Sequence, residues 1–217
     1  MADLDQYLQP TEFLDFNKDR VKNKANEITK GLKSEKEKAI ALFYWTRDNI
    51  KYNMYTYNPK IKANLKASVT LRRKNGFCMS KAVLLSALAR AMGIPARIRM
   101  VDIINHKISP KIVELMQTNV FHCHGISEIL INGTWLKLTP VFDKVTALKA
   151  GFVPLIEFDG NNDALFESHD KEGNLFVEYV KDYGIYSDLP IKQIVEIFTK
   201  AYPNMFSRIE FPKREVL

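Results

Sequence analysis

Cys78 stands where the basic stretch Arg72-Arg-Lys-Asn-Gly-Phe gives way to an Ala- and Leu-rich run, at the predicted start of a helix over Cys78–Met92. Unpaired N–H groups and the helix dipole at such a position favour an anion, and Arg72, Arg73 and Lys74 add positive charge nearby in sequence. A thiolate is therefore the expected form of a reactive Cys78. Gly76 would let backbone approach a substrate carbonyl with no Cβ in the way, and the Cys78 backbone N–H is the natural oxyanion donor. A lone helix cysteine reads more readily as a small buried apolar group, so the case for chemistry depends on a base.

Four histidines are available, and two of them stand in the run Phe121-His-Cys-His-Gly-Ile-Ser-Glu128. Strand alternation predicts His122, His124, Ile126 and Glu128 on one face, with Phe121, Cys123 and Ser127 on the other. A thiol at a helix start facing an imidazole on a strand suits nucleophilic acyl transfer. The imidazole takes the thiol proton, the sulfur attacks a carbonyl, and the imidazolium protonates the leaving amine. The His-Cys-His triplet does not suggest a metal site, because Cys123 is predicted to point away from both imidazoles. His106 reads as a loop residue with a local hydrogen bond, and His169 as an exposed one. Trp45, with Tyr52, Tyr55 and Tyr57, could line a substrate groove, although Trp45 reads better as core packing from an amphipathic helix.

The elements that must position these groups are legible. Helices are predicted over Val21–Lys33 and Ser34–Asn49, the second opened by the capping-box pattern Ser34-Glu-Lys-Glu37. Ala39, Leu42, Phe43, Thr46 and Ile50 then follow helical spacing, and a Tyr/Asn-rich loop runs from Tyr52 to Pro59. Gly93-Ile-Pro95 stops the cysteine helix. Strands are expected over Ala96–Ile104, Phe121–Ile131 and Trp135–Thr139, the last two joined by the hairpin signal Asn132-Gly133. A final helix covers Pro190–Ala201. Helices followed by an antiparallel sheet define an α+β class, with the cysteine helix packed on that sheet.

Composition bounds the function. Charged residues at 26% and hydrophobic ones at 46% describe a globular chain, not a disordered one. The net charge of +7 is unevenly spread: Lys51–Val101 holds eleven Lys or Arg and no acid, whereas Glu157–Asp188 holds nine acids and two lysines. Opposite-sign segments of one chain can neutralise each other, so nucleic acid is not the expected partner. The acidic segment is expected to cover part of the basic face near Cys78. With two cysteines, no signal-like N-terminus and no membrane-length apolar run, the expected setting is cytoplasmic, with no membrane partner. The expected layout is an N-terminal helical segment (1–34), a catalytic core (35–145), and an acidic accessory segment with the C-terminal helix (146–217), packed as one domain.

The run Gly76-Phe-Cys78-x-x-x-Ala82-x-Leu-Leu-x-Ala87-Leu-x-Arg90-Ala-x-Gly93-Ile-Pro-Ala-Arg97 resembles the nucleophile motif of the transglutaminase-like superfamily. His124-x-x-x-Glu128 with Gly133-x-Trp135 is similar to its second motif, and Ala41-Leu-Phe-Tyr-Trp-x-Arg47-Asp-x-Ile50-x-Tyr52 to its leading helix. Thr11-Glu-Phe, Asp102-x-x-Asn105-His106, Phe158-Asp-Gly160 and Glu178-Tyr-Val extend the resemblance to a small prokaryotic subgroup. It implies a papain-like fold and a Cys–His–Asp triad that transfers or hydrolyses amide and peptide acyl groups. Cys78 is then the nucleophile and His124 the base. The implied substrate is a protein or peptide amide, with an amine as a second substrate where the enzyme transamidates, and no metal or other cofactor. The third position departs, because Thr139-Pro140 stands where the family has Asp-Pro. Thr139 can orient an imidazole but cannot stabilise its cation, so Asp143 is preferred, with Asp102 and Asn105 as further candidates. Gly76, Trp45, Asn105 and His106 are carried as candidate substrate or oxyanion residues. Thr139 also motivates an alternative: a catalytically degenerate domain that serves as a binding module.

Overall fold

The computed structural model describes residues 4–56, 61–150 and 155–204. In chain order it contains α1 (Asp19–Ile28), α2 (Glu35–Asn49), β1 (Lys51–Tyr52), α3 (Ala67–Arg73), β2 (Asn75–Gly76) and α4 (Cys78–Ala91). There follow β3 (Ala96–Asn105), α5 (Pro110–Met116), β4 (Val120–Ile131), β5 (Thr134–Leu138), α6 (Lys144–Ala150), β6 (Val177–Tyr186) and α7 (Ile191–Ala201). Four strands form an antiparallel sheet in the order β5-β4-β3-β6, and β1 pairs parallel with β2 just ahead of α4. The class is α+β, with the cysteine helix against the sheet.

Helix α4 is the centre of the core: every residue from Cys78 to Arg90 is buried. A helix enclosed on all sides must neutralise its polar side chains internally. Lys81 does so by donating to the carbonyls of Arg47 and Ile50, groups left unpaired at the end of α2. Arg90 donates to Ala96, Gln9 and Ser187, tying the end of α4 to the start of β3 and to both terminal regions. Burial lowers Lys81 to about 7 and Arg90 to about 10, the cost of this arrangement.

Local chemistry sets most element ends. Ser34 and Glu37 form the predicted capping box, and Ala39, Leu42, Phe43, Thr46 and Ile50 are all buried. Asn132 and Gly133 adopt left-handed φ values of 49° and 82°, the conformation a two-residue β4–β5 hairpin requires. Helix α1 stops short of the predicted Lys33. The Thr29 hydroxyl donates back to Ala25 O, and Gly31 is left-handed at 82°. Of the Tyr/Asn-rich loop, Tyr57 and Pro59 lie outside the described residues.

Two features depart from the sequence expectation. The acidic segment contributes β6, which hydrogen-bonds to β3 as an edge of the main sheet. Its acids meet cations scattered over the fold: Glu157 with Arg47, Asp163 with Lys137, Asp170 with Lys107, and Asp182 with Arg99. None of these pairs involves Arg72, Arg73 or Lys74, so among the described residues no acidic cover lies on that basic run. The second departure is in β4. Val101 pairs with His124 and Ile103 with Phe121, leaving Asp102 opposite both His122 and Cys123. This is a β-bulge, and it ends the uniform alternation predicted across the two histidines. No helix among the described residues is long and apolar enough to cross a membrane.

Strand β4 crosses the first turn of α4 at backbone contact. A Cβ on Gly125 would lie 2.8 Å from the Met79 Cα, and two helical turns further along the Ser127 and Ser86 hydroxyls hydrogen-bond at 2.7 Å. Gly125→Ala must therefore push strand from helix. The expected loss is about 1–3 kcal/mol, read in a thermal melt as roughly 2–4 °C of Tm per kcal/mol for a chain of this size. An unchanged Tm would show that the two backbones can part freely.

Candidate active site

Cys78 is the first residue of α4 and 9% exposed. Phe77 N–H donates to Ser80 Oγ, which fixes the entry of the chain into the helix. Burial pushes the thiol up to about 11, although N–H groups of Gly125, Met79 and Cys78 itself favour the anion. This corrects the expectation of an acidic thiol. The helix start contributes as predicted, but Arg72, Arg73 and Lys74 are exposed and desolvation outweighs the dipole. Cys123, buried on the bulge, is pushed higher still, to about 12.

The cysteine forms part of the wall of two small cavities. One, of about 30 Å³, is also lined by His124, Tyr52, Asn105, Phe142 and Phe166. That volume holds about one water molecule. His124 is 2% exposed, its ring 5.8 Å from that of Phe166, and its Nε2 has no hydrogen-bond partner. Burial alone lowers the imidazole to about 3, so it is neutral across the working pH range.

The second cavity, of about 50 Å³, brings Cys78 together with His122, Met116, Phe198 and Tyr202. His122 Nδ1 lies 2.9 Å from Asp102 Oδ2, and its backbone N–H donates to the Tyr202 hydroxyl. Asp102 also accepts from Cys123 N–H and from the Tyr183 hydroxyl. The carboxylate thus satisfies through Oδ1 an N–H that the bulge removes from the ladder, and orients an imidazole through Oδ2. The bulge turns the two histidines to different sides of Cys78. Sequence reasoning missed the His122–Asp102 pair because a bulge leaves no mark in an apolar/polar pattern; the adjacency of Asp102 to a candidate-bearing strand was its single trace.

The remaining candidates divide plainly. Asp143 accepts from Tyr52 N–H at 2.8 Å and from the Thr146 backbone and hydroxyl, and makes no hydrogen bond to His124. Burial would raise it, but the Thr146 and Tyr52 bonds hold the carboxyl below its ordinary range. Thr139 is fully buried, makes no hydrogen bond to His124, and borders a different cavity with Phe142 and Phe176. Asn105 lines the Cys78–His124 cavity while its Oδ1 accepts from Lys107 N–H. Gly76 has no room for a Cβ, which would sit 2.4 Å from the Ser80 Oγ that caps α4. Trp45 packs half-buried on the core with Lys24 over its ring and lines neither cavity. His106 bonds Glu178 at 2.6 Å, and His169 bonds Ser168, both away from Cys78.

Two pH responses follow. Cys78 alkylation by iodoacetamide in the folded protein should keep climbing with pH past the ~8.5 of a free thiol toward about 11. A plateau at or below that free-thiol value would show that the helix start prevails over burial. His124 binds its proton only near pH 3 when folded but near ~6.5 when unfolded, so the unfolded state holds more protons between them. Stability should fall as pH drops through that window, and the fall should be shallower in His124→Gln in parallel urea titrations at several pH values.

Comparison with known proteins agrees with this arrangement. Residues 22–140, more than half the chain, match the profile of the transglutaminase-like superfamily. No functionally curated protein matches the sequence. Among solved structures, a protein of Cytophaga hutchinsonii provisionally described as a cysteine protease superposes with a TM-score of 0.51 at 22% identity, over 69% of this chain. A provisionally described protease of Parabacteroides distasonis gives a TM-score of 0.40 at 17% identity over 63%. The chain spans 45% of the first of these proteins and 25% of the second, and the likeness to the first is one of fold. A cysteine opening the core helix, a histidine strand crossing it at a glycine, and the matched span together make this chain a member of the transglutaminase-like superfamily.

Proposed function

We propose that the protein catalyses cysteine-dependent acyl transfer from amide or peptide bonds, with Cys78 as nucleophile and His124 as proton acceptor. The observation that carries this is the shared cavity: Cys78 lines one small space with His124, whose buried Nε2 has no hydrogen-bond partner. At rest both groups are neutral, so activation accompanies attack. The thiol proton passes to His124 Nε2 as sulfur bonds to the carbonyl carbon, and the oxyanion forms beside the N–H groups that open α4. Collapse expels the amine, which takes the proton from His124, leaving a thioester on Cys78. Water or a second amine then attacks, returning a proton through the imidazole to sulfur. Asn105 is the amide side chain that lines this cavity, which supports it as a candidate to orient the imidazole.

A second reading has its own observation. His122 is the imidazole that a carboxylate orients, and it too lines a cavity with Cys78. In that reading His122 takes the proton, Asp102 stabilises the resulting cation, and His124 is a structural ring.

The two readings separate on single variants assayed with p-nitrophenyl acetate, whose leaving group reports acylation. Cys78→Ala should abolish both the burst and the thioester mass on the tryptic peptide. Loss of the base should lower kcat/KM about 10²–10⁴-fold. Under the first reading that loss belongs to His124→Gln, and under the second to His122→Gln and Asp102→Asn. A wild-type protein that forms no thioester at all would leave the binding-module alternative in its place.

A further inference from the structure

A third cavity, of about 360 Å³, lies beside the two that flank Cys78. We infer that it is the acyl-donor side-chain pocket, built for a bulky aromatic or branched apolar group; this rests on the acyl-transfer reading above. Its apolar walls are Tyr52, Met54, Ile108, Ile112, Phe121 and Phe142.

Position comes first. The pocket shares Tyr52, Asn105, Phe121 and Phe142 with the Cys78–His124 cavity. It shares Tyr52, Met54 and Phe121 with the Cys78–His122 cavity. Whichever imidazole serves, a side chain seated here is separated from the Cys78 cavities only by walls they share. Size comes second, since this volume lies within the ~300–1,000 Å³ of ligand pockets and far exceeds what a methyl side chain would fill.

Charge decides the class. Among the described residues Lys107 is the one Lys, Arg, His, Asp or Glu in the lining, and it is already engaged: its Nζ is 2.7 Å from Asp170 and 5.7 Å from the Phe176 ring centroid. Among the described residues no carboxylate lines the wall and its one ammonium is already paired, so a charged side chain finds no free counter-ion there, and burying one unpaired is costly. An apolar group meets instead the Tyr52–Phe142 pair, whose rings stand 4.7 Å apart in an edge-on arrangement.

The pocket is held in shape by Asp143. Its carboxylate binds Tyr52 N–H on one side and Thr146 on the other, and both residues line the cavity. Asp143 is therefore a positioning residue for the wall between pocket and sulfur.

The test compares p-nitrophenyl esters of acetic, 3-phenylpropanoic and succinic acids, each normalised to its rate with N-acetylcysteine. In every case sulfur displaces p-nitrophenolate, the thiol proton goes to the imidazole, and water later hydrolyses the thioester. The phenylpropanoyl ester should be preferred over the acetyl ester on the order of 10- to 100-fold in kcat/KM, and the succinyl ester should show no preference. Ile112→Trp, which fills the pocket, should lower the ratio toward one, whereas Ile112→Val should retain it. Equal rates across the series, or a preference for succinyl, overturn the inference while leaving acyl transfer standing. Failure of every ester to acylate Cys78 refutes the acyl-transfer reading itself, and the pocket assignment falls with it. Because the wild-type series carries the comparison, a misfolded Ile112→Trp, visible by circular dichroism, would not rescue a flat profile.

Discussion

The site depends on one close approach, the backbone of β4 lying directly on the first turn of α4. Only a glycine at position 125 permits it, because any side chain would meet the Met79 Cα. The same contact brings the Gly125 N–H to the Cys78 sulfur and sets the neighbouring residue, His124, into the cavity beside it. A helix and a strand packed through ordinary side chains would stand several ångströms further apart, and neither imidazole would share a cavity with the thiol. Lys81 and Arg90 secure the helix further by hydrogen-bonding four segments of backbone to it.

That closeness has an electrostatic consequence. Thiol and imidazole are both withdrawn from water, and burial drives their pKa values in opposite directions, each toward the neutral form. A charged resting pair is therefore disfavoured. The neighbouring pair, His122 and Asp102, sits in a wetter place, with about a quarter of the His122 side chain exposed. It has the orienting carboxylate that His124 lacks. Two imidazoles in separate cavities beside one cysteine, one buried and one oriented, accompany a single extra residue in β4.

Asp102 and Asp143 show how a carboxylate's role is set by what the backbone leaves unpaired. Asp102 takes the N–H that the bulge at Cys123 frees from the sheet, and Asp143 takes the Tyr52 N–H where β1 ends. An N–H buried without a partner is more costly than a carboxylate held in place, so both acids are committed to structure first. Their chemical influence then acts through the group they hold: an imidazole in one case, an aromatic wall in the other.

Much of this protein was legible in its residue order. The Cys78 helix, its stop at Gly93, the Ser34 capping box and the Asn132-Gly133 hairpin all arise from local rules acting over a few residues. The motif spacing around Cys78 and His124 likewise identified the family before any contact was known. What tertiary structure alone decided are quantities with no local signature. Whether Cys78 is acidic or basic depends on a balance between a helix dipole, visible in sequence, and desolvation, which is not. The facing of His122 depends on a bulge that leaves composition unchanged, and the acidic segment became β6 because β3 had an open edge to pair with. Asp143 was the nearest acid in sequence to the expected triad position, but the free N–H of Tyr52 was nearer in space.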